Sequence, residues 1–401
     1  MKIAIYAEYF IDWGGGIDFL RIILKGLNKV SKKYNLELVV FIPIKTNSTL
    51  TGLKLGIKKL INTFLRKKKY HIANHQFNLE HVKNVLSNEA NLTFVTFNHS
   101  ESNFIDELKH HQIDVIIPSF SNLGSSFPFP WVGYIYDLQH KYYPNFFTLL
   151  DIEGRDASFN QILSNAKSVL VNGQAVKNDI EKYYHKTNNV VSLPFCPLYN
   201  SESSDVNTSF DKELPSKYFI VSNQFWKHKD HKTVFKALAK FYQNGGDKNI
   251  QLICTGGTQD PRDPNYFSEL QDLIVRLNIK KQIHILGYIE KEVQLNLMLN
   301  SIAVIQATLF EGGPGGGSIY EAVAYGMPSI VSNIPINKEL LEENLLFFDV
   351  GNADDLALKM QEVLSYKKLS NEVILANAEI NQNKLGEALY KAILMATNFK
   401  N

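Results

Sequence analysis

Short continuous apolar runs alternate along the whole chain with longer stretches in which apolar residues recur every three to four positions. In the first half the runs are LELVVFIPI, LTFVTF, IDVIIPSF, WVGYIY and SVLVNG; in the second they are IQLICTGG, QIHILG, IAVIQAT, PSIVSN and LLFFDV. Runs without polar alternation predict strands covered on both faces, hence parallel sheets sandwiched by helices. Two places read as the opening of such a unit. KIAIYAEYF, DWGGG and IDFLRIILKGL give strand, glycine turn and amphipathic helix. KYFIVSNQFWKHKDHKTVFKALAKF gives a strand ending at Ser222, a polar loop, and a helix carrying Val234, Phe235, Leu238 and Phe241 at helical spacing. Between the halves, YNSESSDVNTSFDKELPS reads as an interdomain linker. The expected fold class is α/β, with two doubly wound Rossmann-like domains facing each other across a cleft.

Composition narrows the partners rather than the fold. The 401 residues suffice for two cores, and 45% hydrophobic with 20% charged residues is an ordinary soluble balance. A net charge of +2 provides no overall drive toward nucleic acid. Cys196 and Cys254 show no metal-type spacing, and MKIAIYAEYF enters a strand at once with no leader pattern, so a cytoplasmic chain is expected. LKLGIKKLINTFLRKKKY, residues 53–70, interleaves apolar and basic residues. It fits a helix lying on an anionic membrane surface and equally a packed helix with a solvated face.

The candidate chemistry lies in loops after strands, because open parallel sheets bind ligands outside the carboxyl ends of their strands. In LFEGGPGGGSIYEAVAYG the residues Gly312, Gly313, Gly315, Gly316, Gly317 and Ser318 precede a helix, and Glu311 and Glu321 flank them. Bare backbone and a helix N-terminus suit a phosphate, whereas carboxylates accept hydrogen bonds from sugar hydroxyls. A ligand with both groups accounts for both residue types; a mobile loop with two solvated acids is the plainer alternative. SNQFWKHKDHK groups Lys227, Lys229, Lys232, His228 and His231 as positive charge able to neutralise a departing diphosphate. WVGYIYDLQHKYYPNFF places Asp137 and His140 after another strand, and Gly14, Gly15 and Gly16 form the first-domain turn. His71 and His75 lack an H-E-x-x-H context, and the chain contains no D-x-D, so no metal site is expected.

Together these stretches resemble the retaining, nucleotide-sugar-dependent glycosyltransferases of family 4, the glycosyl transferases group 1, which have the GT-B fold. The resemblance covers nearly the whole chain and is most specific from Phe219 to Leu340. It implies an acceptor-side domain over residues 1–200, rejoined by a C-terminal helix from about 383 to 401, and a donor-binding domain over 201–382. It also implies a metal-independent hexosyltransferase without cofactor, moving a sugar from a nucleotide diphosphate sugar to a glycan or lipid-linked acceptor in surface polysaccharide biosynthesis. Lys229, Glu311 and His140 take the catalytic positions. Glu321 takes the ribose, and Gly15, Gly16, Asn223, Gln224 and the loop from Gly312 to Ser318 take the rest of the donor. Three departures stand out: nine residues rather than the family's usual seven separate Glu311 from Glu321, Tyr136 stands where a histidine is usual, and Asn223 and Gln224 occupy the neighbourhood of an arginine. A nucleotide-sugar epimerase of the same fold, and a non-catalytic nucleotide-sugar-binding partner, remain open beside this reading.

Overall fold

The structure is a computed structural model and describes residues 1–11, 15–44, 79–98, 100–186, 189–199 and 214–397. Gly14, the basic stretch 53–70, His71 and His75, and residues 200–213 of the expected linker lie outside the described residues. The first sheet comprises β1 (Lys2–Tyr6), β2 (Glu37–Ile44), β3 (Leu92–Asn98), β4 (Val115–Ser119), β5 (Trp131–Ile135), β6 (Ser168–Val171) and β7 (Val190–Ser192), in the order β3-β2-β1-β4-β5-β6-β7. The second comprises β8 (Tyr218–Ser222), β9 (Gln251–Thr255), β10 (Ile283–Gly287), β11 (Ala303–Gln306), β12 (Ser329–Ser332) and β13 (Leu345–Phe348), in the order β10-β9-β8-β11-β12-β13. Every described pairing is parallel.

The helices of nine or more residues are, in the first domain, α1 (Gly16–Tyr34), α2 (Leu79–Ser87), α3 (Glu101–His110), α4 (Leu149–Asn165) and α5 (Gln174–Tyr184). The second domain contributes α6 (His231–Gln243), α7 (Tyr266–Arg276), α8 (Lys291–Leu299), α9 (Gly316–Ala324) and α10 (Ala353–Glu362), and α11 (Asn371–Thr397) ends the described chain. Alternate residues of one strand enter different cores. Ile3 and Ile5 join one cluster and Ala4 the other; Phe219 and Val221 join one and Tyr218 and Ile220 the other. Both faces are therefore apolar, which is why the strands read as continuous runs.

The helix α11 ties the two domains together. Near its start, Ile374 lies against the Gly326 turn of the second domain. Further along, Leu385, Leu389, Ala392 and Ile393 join Leu20, Leu24 and Leu27 of α1 in the first-domain core. Lys33 pairs with Glu387 at 2.7 Å, and the rings of Tyr34 and Tyr390 stack at 3.6 Å. The observed helix thus begins earlier than residue 383, because one uninterrupted helix serves both domains.

Strand order reverses between β1 and β4 and again between β8 and β11. In each sheet the crevice beyond the carboxyl ends at that reversal is the place a ligand can enter.

Candidate active site

At the reversal of the second sheet, the loops after β8 and β11 lie side by side because their strands are paired, Ala303 opposite Phe219. The loops are also joined directly: the backbone oxygen of His228 accepts from the N–H of Leu309 at 2.7 Å and from the Thr308 hydroxyl at 3.2 Å. Lys229 ends a short 3-10 turn there, and its Nζ donates to Glu311 Oε1 at 2.5 Å. Both side chains are largely shielded, 12% and 10% exposed, so the pair sits in an environment where charge interactions are stronger than on the surface.

The rest of the basic cluster does something else. Lys227 pairs with Asp263 and Lys232 with Glu269, each at 2.8 Å and on the outer surface. His228 and His231 are buried, and burial pulls them down to about 2 and about 3, so both rings are neutral near pH 7. The expectation that the histidines add positive charge is therefore corrected. His231 stacks on Phe225 at 4.1 Å, and neither of its ring nitrogens has a partner. Lys229 alone of the five is directed to Glu311.

The glycine loop ends in a tightly held turn. Gly315 adopts φ +72° as the N-cap of α9; its N–H donates to Asn337 Oδ1 at 2.8 Å, and its carbonyl accepts from the buried amide of Gln306. The carboxylate of Glu311 folds back onto the start of α9, so close to Gly316 that a β-carbon there would lie 2.8 Å from Glu311 Oε2. An anion at this place is favoured by the free N–H groups of the first turn. Glu311 thus lies at the helix N-terminus. Gly317 faces open space, and the Ser318 hydroxyl is buried without a partner.

The first domain closes over this loop. Asn172, just after β6, donates from Nδ2 to the carbonyls of Gly312 at 3.0 Å and Tyr136 at 3.3 Å, while its Oδ1 accepts from the Tyr134 hydroxyl at 2.7 Å. Tyr143 donates to the Leu309 carbonyl at 3.2 Å. A side chain on Gly312 would meet the Tyr136 carbonyl at 2.8 Å and Asp137 Cβ at 2.9 Å, so this close approach requires glycine.

His140 does not face the loop. It is 1% exposed; its Nε2 contacts Asp156 Oδ1 at 3.0 Å and its Nδ1 accepts from Arg155 Nε at 3.2 Å. With Nδ1 accepting, Nε2 carries the proton and donates to Asp156. Burial holds the ring below the ordinary histidine range. Arg155 in turn donates to Asp137 Oδ1 at 2.5 Å. Both ring nitrogens of His140, expected beside the reacting sugar, are thus engaged by Asp156 and Arg155, while Phe147 and Phe159 pack edge-on against the ring.

Of the other expected residues, Gln224 latches the second domain's own backbone, its Oε1 accepting from the Gly257 N–H at 2.7 Å, whereas Asn223 Nδ2 is buried without a partner. Glu321 lies on the second turn of α9 rather than at its start. Its carboxylate is held from α8 by Lys291 and by Gln294 Nε2, the latter at 3.1 Å. Gly15 is exposed and Gly16 buried where α1 begins. Asn172, Gln306, Asn337 and Glu339 are structurally central and were missed, since single polar residues next to apolar runs carry no distinctive spacing. Among the described residues, no three His, Cys, Asp or Glu side chains converge on a metal-sized site.

Residues 205–379, the second domain, match the family model for glycosyl transferases group 1. A curated protein similar to this chain, the O-antigen chain mannosyltransferase RfbU of Salmonella typhimurium, is 27% identical over 226 residues, 55% of this chain and 56% of that protein. The chain thus spans about half the length of the curated relative it matches. Among solved structures, Anabaena HepE in complex with UDP is similar over 99% of this chain and 98% of its own, with 16% identity and a TM-score of 0.56. The lipopolysaccharide outer core galactosyltransferase WaaB, in its apo form, is similar over 98% and 99%, with 17% identity and a TM-score of 0.57. These likenesses are of fold, and the two facing Rossmann-like domains are a GT-B fold.

Proposed function

We propose that this chain is a retaining, metal-independent hexosyltransferase that moves a sugar from a nucleotide diphosphate sugar to a glycan or lipid-linked acceptor of a surface polysaccharide. The observation that carries the reading is the Lys229–Glu311 pair at the N-terminus of α9, inside a glycosyl transferases group 1 domain. The diphosphate competes with Glu311 for the two positive features at this place, the lysine and the helix N-terminus. As the donor enters, Lys229 and the amides of Gly316, Gly317 and Ser318 take the phosphates, and the displaced Glu311 turns to a sugar hydroxyl. Lys229 then opposes the negative charge that grows on the leaving diphosphate as the glycosidic bond breaks, a contribution made mainly in the transition state. Asn223 Nδ2 and the Ser318 hydroxyl are buried donors without a partner beside this place. Glu321 accepts from the ribose hydroxyls.

The resemblance to proteins named for O-antigen and lipopolysaccharide assembly supports the acceptor class. No helix among the described residues is long and apolar enough to cross a membrane. A chain working on a lipid-linked acceptor then meets the bilayer from the cytoplasmic side, and the basic stretch 53–70 is proposed to contact it. The test is thermal stabilisation of the full chain by a panel of UDP-, GDP- and dTDP-sugars, because a ligand that binds only the folded state raises the melting temperature. One base is expected to stabilise well above the others; no shift with any of them contradicts the proposal.

A further inference from the structure

We infer that Glu339 is a positioning residue: by capping a first-domain helix it fixes the backbone of the glycine loop in the other domain. Glu339 and Asn337 occupy the two ends of one 3-10 turn after β12, Asn337–Glu339, and therefore move together. At the outer end the Glu339 carboxylate accepts from the N–H of Ala175 at 2.7 Å and of Gln174 at 2.9 Å. These are first-turn amides of α5, which have no acceptor within their own helix, and the helix dipole favours a carboxylate there. Gly173 makes room for it, since a β-carbon at that residue would lie 2.6 Å from Ile336 Cδ1 and 2.8 Å from Glu339 Oε2. Ile334 and Ile336 of the same segment are buried in the first-domain core, so the contact is anchored by apolar packing as well.

At the inner end Asn337 is fully buried, takes the Gly315 N–H at 2.8 Å, and donates from Nδ2 to the Ser332 carbonyl at 2.9 Å. Gly315 is the left-handed residue that launches α9. Residues 172–175 of the first domain therefore grip the loop twice, directly through Asn172 on Gly312 and indirectly through Glu339, Asn337 and Gly315. Separation of the domains releases both grips at once. The loop then holds its phosphate-facing shape only when the domains are docked. That consequence for donor binding rests on the proposed activity; the coupling between Glu339 and Gly315 does not.

Hydrogen–deuterium exchange on the full chain without ligand tests it, comparing wild type, Glu339→Ala and Glu339→Gln. In Glu339→Ala, exchange at residues 174–175 and across 313–318 is expected to speed together by about tenfold while strand β12 stays protected. Glu339→Gln, which keeps one accepting oxygen, is expected to fall between. Calorimetry with UDP, GDP and dTDP then reads the donor side: whichever binds wild type is expected to bind Glu339→Ala about tenfold more weakly. Faster exchange at 174–175 with 313–318 unchanged overturns the inference. If Glu339→Ala does not fold, Gly173→Ala, which crowds the carboxylate off α5, is read against the same two segments with the same two outcomes. Failure of all three nucleotides to bind wild type overturns the proposed activity and leaves the exchange result to decide the coupling.

Discussion

The ammonium of Lys229 and the carboxylate of Glu311 meet at 2.5 Å across two loops that follow paired strands, with the carboxylate resting on the first residue of α9. Without a ligand, Glu311 thus stands where an anion belongs. Its removal has two opposite effects. In Glu311→Gln a nucleoside diphosphate lacking the sugar no longer competes with a charge, so its affinity rises several-fold, on the order of 1 kcal/mol. Sugar transfer falls, because the hydroxyl contact is weakened. Calorimetry with the diphosphate and steady-state kinetics with the sugar nucleotide measure the two; weaker diphosphate binding in the variant contradicts the competition.

Glu321 is held by Lys291 and Gln294 rather than being free at a helix start. If it takes the ribose, Glu321→Ala loses hydrogen bonds to a charged acceptor, on the order of 1.5–3 kcal/mol, and donor affinity drops about tenfold to a hundredfold. Calorimetry reads this directly. Unchanged donor affinity assigns Glu321 to domain structure alone.

His140 is spent on Asp156 and Arg155. His140→Gln is therefore expected to lower the melting temperature while turnover stays within about threefold of wild type. A general acid or base in the reaction costs about 10²–10⁴ in rate when removed, and a loss of that size returns His140 to the catalytic set.

His231 has a folded pKa of about 3, well under the usual histidine value of 6.5. Between those two values the unfolded chain binds a proton that the folded ring refuses. Stability is complete above about pH 6.5 and is lost as pH falls below it, by on the order of 1.4 kcal/mol per unit for one fully buried ring. Replacing the ring with an untitratable one that still stacks on Phe225 removes this loss. The gain in melting temperature of His231→Phe over wild type is therefore larger at pH 5 than at pH 8, and equal gains at the two pH values contradict the assignment.

Strand positions and the two-domain α/β class were legible because parallel strands buried on both faces leave continuous apolar runs, as at Val115–Ser119 and Trp131–Ile135. Lys229 and Glu311 were legible for a related reason, since each lies in the loop after a strand, β8 or β11, at the place where the sheet order reverses. Orientation was not legible. His140 and Glu321 sit in expected segments, yet their side chains turn toward partners sixteen and twenty-seven residues away, Asp156 and Gln294. Asn172 and Glu339 act only once the domains meet, and a contact across more than 100 residues leaves no periodicity to read.

The central claim is that the cleft around Lys229 and Glu311 breaks the bond between a sugar and a nucleoside diphosphate and passes the sugar on. The most direct measurement is mass spectrometry of the sugar nucleotide that stabilises the chain, incubated with and without a glycan or lipid-linked acceptor fraction, for wild type and Lys229→Ala. The account predicts that wild type releases nucleoside diphosphate in step with acceptor gaining one hexose, and that Lys229→Ala turns over about 10²–10³ times more slowly. A rearranged sugar nucleotide formed from donor alone, or tight donor binding with no diphosphate released in the presence of the acceptor fraction, contradicts it.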